Sequence, residues 1–307
     1  MKLIDIKNYN NNLNVIQNNC FENLTFNYND NLTNVLTFCS TITFLEKAIV
    51  KNNISAVITS EKVYEKLRKK NKFNEIIIDK GIVLSKNPRE DFFKFHNYLA
   101  ENTEFYKKEN ISFKGKNTKI SKLASVSKNN VHIGNNVIIE DFVKIYDNVY
   151  IGDNSIIRSG CKIGGEGFQF PVINNKIYFI KHVGGVKIGN NVELQNNCTV
   201  DRSIFRGYTE IGDHTKIDNF VHVAHSSKIG NNCRIAAGAI ILGSVYLGNK
   251  IWIGPGVIIS DSLIIEDEVS ISLGSVVVKN CKKGEELAGN FAINKNEFIL
   301  KNIQALY

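Results

Sequence analysis

The chain has 307 residues, 43% hydrophobic and 22% charged, which excludes a disordered or collagen-like polymer and suits one large domain or two ordinary ones. A net charge of +8, from 38 Lys and Arg against 30 Asp and Glu, favours anionic partners, or reflects a generally basic surface. The start, MKLIDIKNYN, has no apolar core or cleavage signature, and no run of about 18 residues escapes polar interruption, so the expectation is a cytoplasmic protein without a membrane span. Cys20, Cys39, Cys161, Cys198, Cys233 and Cys281 are scattered without a CxxC pair, which predicts reduced thiols.

In chain order, VLTFCS, ISAVITS and NEIIIDKGIVLS read as short strands, and TFLEKAIVKN, EKVYEKLRKKNK and PREDFFKFHNYLAE as helices. This alternation predicts an α/β domain over residues 1–102. A different rhythm follows. Ile133, Ile139, Ile145, Ile151, Ile157 and Ile163 recur every six positions, as do Ile188, Leu194 and Val200, and then every sixth residue from Ile211 to Val277. Six is neither a helix period nor a strand alternation. It predicts short strands closed by tight turns at glycine or asparagine, as in Asn135-Asn136, Asn190-Asn191 and Asn231-Asn232.

Three hexads make an eighteen-residue coil of a triangular prism, so residues 103–284 are expected to form a parallel β-solenoid, each coil burying its neighbour. Only three prolines interrupt the chain, in keeping with coils that use their N–H donors throughout. Two insertions, GGEGFQFPVINNKIYFIKHVGG and DRSIFRGYTE, break the rhythm and are expected as outward loops, where binding residues concentrate. Phe168, Phe170, Tyr178 and Phe179 make the first loop rich in aromatics. Residues 285–307 leave the repeat and are expected to end in a short helix.

Among six histidines, the pair in NFVHVAHSSKIG is distinctive. Val223 is the inward residue of its hexad, so His222 and His225 belong to the outer wall. Eighteen residues beyond His225 stands Gly243, one coil over. An imidazole beside a closely approaching backbone N–H suits acyl transfer, the ring accepting a proton from an attacking amine and the N–H stabilising the oxyanion. A metal-binding reading of the two histidines lacks an evident third ligand, and no permanently bound cofactor is expected. Neither a G-x-S-x-G nucleophile motif nor a nucleotide glycine loop of the usual kinds is present.

The order GGEGFQF, HVGGVKIGNNVELQNNCTVDRS, KIDNFVHVAH, GSVVVKN and NKNEFILKN resembles the UDP-3-O-acylglucosamine N-acyltransferase family of lipid A synthesis; VLTFCSTITFLEKAIVKNNISAVITS and NPREDFFKF resemble it more loosely. The resemblance implies a left-handed coil, a homotrimer with sites between neighbouring coils, and an amino sugar on a nucleotide as acceptor. It implies His225 as general base, Gly243 as the oxyanion amide, Asp218 and Asn219 as sugar-binding residues, and Phe38 and Phe44 as an aromatic pair on the base. Those two phenylalanines read equally as domain core. Glu166, Phe168 and His222 are further candidates for binding the substrate.

Thr41, Glu166, Gln169, Ser203, Ser226 and Ser262 depart from the family pattern, and the tail after NKNEFILKN is short. The acceptor therefore stays open between the lipid A precursor and a UDP- or dTDP-linked dideoxy amino sugar for a surface glycan, and the donor between acyl-coenzyme A and acyl carrier protein. A non-catalytic β-helix binding protein is the alternative from a different class, and no nucleic-acid partner is expected.

Overall fold

The computed structural model describes residues 1–27, 32–70, 79–107, 111–173 and 175–289. The chain divides into two compact units, one of residues 1–109, 166–185 and 203–207, the other of 110–165, 186–202 and 208–307. Among the described residues no helix is long and apolar enough to cross a membrane.

The first unit is built on a five-stranded sheet of order β1-β5-β4-β3-β2, formed by β1 (Asn14–Gln17), β2 (Asn23–Leu24), β3 (Val35–Cys39), β4 (Ile54–Thr59) and β5 (Gly81–Leu84). Strands β2 to β5 are parallel and β1 is antiparallel. Among the described residues three helices connect or follow them: α1 (Ile42–Ile49), α2 (Glu61–Arg68) and α3 (Pro88–Asn102). Their starts are readable: the Thr41 and Ser60 hydroxyls accept the third N–H of α1 and α2, and Pro88 takes the first turn of α3.

The two insertions are not outward loops. Ile180, Ile204 and Phe205 are buried in the same core as Phe92, Phe93 and Phe95 of α3. The Asn97 side chain donates to Phe179 O (2.8 Å) and accepts from Lys181 N (3.0 Å), and His96 Nε2 contacts Lys181 O at 2.9 Å. Buried apolar side chains and a matched amide thus claim both segments for the first unit. The sequence boundary at 102 assigns them to the coil region, and the contacts of Ile180, Ile204 and Phe205 correct it.

The second unit is a left-handed parallel β-helix of three faces. In chain order its first coil supplies Phe113–Lys114, Lys119–Ile120 and Ser125–Val126 to the first, second and third face. On the third face the ladder climbs from Ile145 to Ile163, then jumps the insertions to Val200 and Val223, and returns to eighteen-residue steps at Ile241 and Ile259. Every sixth residue from Ile211 to Ile259 is buried, and these aliphatics form one continuous column. Each fully buried aliphatic contributes roughly 1.5–3 kcal/mol.

The corners follow from backbone chemistry. Asn136, Asn191 and Asn232 hold φ of 56°, 54° and 58°, the left-handed region that asparagine tolerates. On one edge a ladder of short polar side chains ties the coils. Asn135 N donates to Asp153 Oδ1 (2.7 Å), Asp153 N to Asn190 Oδ1 (2.9 Å), Asn190 N to Asp213 Oδ1 (2.7 Å) and Asp213 N to Asn231 Oδ1 (2.7 Å). The coil reaches Glu286–Leu287, which pairs with Ser270–Ile271, slightly beyond the expected end at 284. The expected C-terminal helix, where it runs past residue 289, lies outside the described residues.

Candidate active site

His222 and Val223 form a third-face strand, with Val223 inward and His222 outward. Three residues past Val223 the chain turns the corner at Ser226, whose φ is 63° and whose N–H donates to Thr209 Oγ1 at 2.8 Å. His225 is held just before that turn, half-buried. Its carbonyl accepts from Ser244 N at 2.9 Å, which locks it to the next coil.

Gly243 lies directly against the His225 ring. A Cβ built on Gly243 would stand 2.8 Å from Nε2 and 2.9 Å from Nδ1, so the imidazole occupies the space a side chain would need. The flanking N–H groups of Leu242 and Ser244 donate to Ile259 O and His225 O. That of Gly243 has no acceptor among the described residues. Burial lowers the His225 pKa from its ordinary value, and the His222 ring acts in the same direction. The ring is therefore a neutral base near pH 7, beside an available backbone donor. A base and a donor so placed can take a proton from a nucleophile and stabilise the oxygen of a tetrahedral intermediate.

Asp218 and Asn219 occupy the corner at the other end of that same third-face strand. The Asp218 Oδ1 accepts from Asn219 N (2.7 Å) and Nδ2 (2.8 Å), and Asn219 Oδ1 accepts from Asn196 N and Nδ2, both at 3.0 Å. The pair thus ties adjacent coils, whatever else it binds. His222 reaches across to the preceding coil, with Nδ1 2.7 Å from Thr199 Oγ1 and Nε2 3.7 Å from Asp201 Oδ2. The sequence reading missed Thr199 and Asp201. Thr199 precedes the second insertion and Asp201 opens it; that insertion sets Thr199 beside His222 at a spacing of 23 rather than 18 and so hides the register.

The remaining candidates belong to the first unit. Phe38 packs with the core, its ring 5.0 Å from that of Phe92, 6.0 Å from Phe93 and 6.3 Å from Phe26. Phe44 on α1 is half exposed, so the structure gives the two rings different surroundings. Glu166 is exposed, and Phe168 is 84% exposed with its ring 4.9 Å from Phe170. A cavity of about 470 Å³ opens where β3, β4 and β5 end, lined by Ser40, Ser60, Lys86, Arg89, Phe93 and Pro171. Two cations beside helix N-termini at the carboxyl ends of parallel strands suit an anionic ligand. Among the described residues no three His, Cys, Asp or Glu side chains converge as a metal-binding set.

Comparison with known proteins agrees in two steps. The profile of the bacterial transferase hexapeptide (six repeats) matches residues 130–165 and 208–243, both within the β-helix of the second unit. UDP-3-O-acylglucosamine N-acyltransferase of Shewanella denitrificans is 45% identical over 89 residues, 29% of this chain and 26% of that protein, and its counterpart in Maricaulis maris is 43% identical over 88 residues, 29% and 25%. The alignment therefore spans about a quarter of those relatives' length. A solved UDP-N-acetylglucosamine acyltransferase from Campylobacter jejuni shares the fold with a TM-score of 0.52 and 25% identity, over 64% of this chain and 79% of its own.

Proposed function

We propose that the protein is an N-acyltransferase that moves an acyl group from a phosphopantetheine thioester to the amine of a nucleotide-linked amino sugar. The observation that carries this reading is the seating of a neutral, half-buried imidazole against a glycine whose N–H has no acceptor among the described residues. In the proposed reaction the amine attacks the thioester carbon while His225 removes its proton. The oxyanion is held by Gly243 N–H, and the thiolate leaves with the proton that His225 returns. The relatives named as N-acyltransferases support the choice of amine over hydroxyl as nucleophile.

The first unit is proposed to recognise the nucleotide, with the Lys86 and Arg89 cavity as its anionic subsite and Phe44 as an exposed ring available to a base. The core packing of Phe38 argues that it supports this region rather than stacking on the base. Asp218, Asn219, His222, Glu166 and Phe168 are proposed sugar or donor contacts. The working assembly is proposed to be a homotrimer, in the cytoplasm, with acyl-coenzyme A or acyl carrier protein as cosubstrate. A panel of UDP- and dTDP-amino sugars, each assayed with both donors, tests the reading. Amide formation on at least one acceptor is expected; release of thiol without amide would contradict it.

A further inference from the structure

We propose that Asp201 and His222 together accept the first proton of the substrate's ammonium group, a task separate from that of the base at His225. This rests on the acyl-transfer reading above and deepens it.

The need for two acceptors follows from the proton balance. An amine beside electron-withdrawing carbons loses its proton near pH 8, as α-amino groups do, so an amino sugar arrives largely as an ammonium ion. The amide product keeps one hydrogen on nitrogen, so two protons must leave. The first must go before attack, because it occupies the lone pair that forms the C–N bond. The second leaves as the C–N bond forms and the C–S bond breaks, passing through His225 to the thiolate sulfur. Overall, ammonium and thioester give amide, thiol and one proton released to water. A ring that delivers its proton to sulfur in every turnover has no capacity for the first proton.

The geometry supplies a second acceptor. Along Thr199–Asp201 the residues alternate, with Val200 inward and Thr199 and Asp201 outward. Thr199 pairs in register with His222 of the next coil. The His222 Nε2 stands 3.7 Å from Asp201 Oδ2, and its Nδ1 is hydrogen-bonded to Thr199 Oγ1 at 2.7 Å. A hydroxyl both donates and accepts, so Thr199 can serve His222 before and after it gains a proton. The Asp201 side chain is only 16% exposed and that of His222 is 36% exposed, which leaves the pair an outlet to water through the imidazole.

Other charges around the pair are turned elsewhere. Lys162, on the preceding coil, donates to Phe142 O (3.1 Å) and Gly160 O (2.8 Å). Arg202 forks onto Asp147 and donates to Gly164 O at 2.6 Å. Asp261, two coils beyond His222, acts on His225 and raises its pKa. Burial raises the Asp201 carboxyl to about 7 and lowers His222 from its ordinary value. Near neutrality the carboxyl can therefore take up a proton, and the more exposed imidazole beside it offers the path to water.

The test is the pH profile of kcat/KM for wild type, Asp201→Asn and His222→Gln, alongside an NMR titration of His222 in the ligand-free protein. With Asp201→Asn the enzyme should use only free amine. The loss should reach about 30-fold near pH 6.5, the inverse of the roughly 3% free amine that a pKa near 8 leaves there, and shrink to within about threefold above pH 9. Asp201→Asn should also displace the His222 titration while the variant melts cooperatively. An equal loss at every pH, or no loss, would overturn the proton role while leaving acyl transfer intact. An undisplaced His222 titration would overturn the pairing. A wild type inert on every amino sugar, with the titrations still coupled, would instead overturn the acyl-transfer reading and the acceptor role with it.

Discussion

Two columns of the same β-helix use glycine for opposite purposes. At the first-face corner, Gly212, Gly230 and Gly248 recur each coil because the neighbouring coil's backbone fills the space where a Cβ would stand; at Gly230 it would meet Gly248 C at 2.6 Å. At the third-face corner Gly243 stands between His225 and Asp261, its counterparts on adjacent coils, and what fills its space is one imidazole. In the first column glycine lets coils stack. In the second it lets a side chain occupy the place of a Cβ beside the backbone. The difference separates the part of the repeat that makes the fold from the departure that makes a site.

Substitutions should break that symmetry in opposite senses. Gly243→Ala pushes against a ring that can swing away, so the coil should stay folded while the base and the oxyanion donor lose register. We expect kcat to fall about 10²–10³-fold, the usual cost of a lost oxyanion donor, with little change in the melting temperature. Gly230→Ala pushes against backbone, which cannot swing. It should cost about 1–3 kcal/mol in denaturant unfolding, as overpacking does, and leave kcat/KM of the folded fraction near wild type. If Gly243→Ala destabilised the chain as much as Gly230→Ala, the two columns would be equivalent and the distinction would fail.

A smaller effect concerns Asp201. Its folded pKa, near 7, lies above its unfolded value, so between about pH 4 and 7 the unfolded chain releases a proton that the folded chain retains. That carboxyl therefore lowers stability progressively as pH rises through this window, and the cost is complete above it. Asp201→Asn removes the titration. Its melting temperature relative to wild type should increase from pH 4 to 7 and then level off; a difference that narrowed over this window would contradict the buried-carboxyl assignment.

Much of the second unit was legible because its physics is periodic. An aliphatic every sixth residue fixes the inward column, and asparagine marks corners where φ is positive. Adding one coil to His225 lands on Gly243 without reference to any structure. What escaped was aperiodic. The insertions carry Ile180, Ile204 and Phe205 into the core of the first unit, a destination set by contacts far along the chain. The same insertions shift the register, so nothing in the spacing paired Thr199 or Asp201 with His222. Phe38 and Phe44 looked alike six residues apart, yet β3 turns the first ring into an aromatic core and α1 leaves the second half exposed.

The most direct test of the account is the rate of acyl transfer by His225→Ala on the preferred nucleotide amino sugar, measured beside its melting curve. The imidazole seated against Gly243 predicts a fall of about 10²–10⁴-fold with an unfolding transition close to that of wild type. A rate within about threefold of wild type in the folded variant would show that the base lies elsewhere.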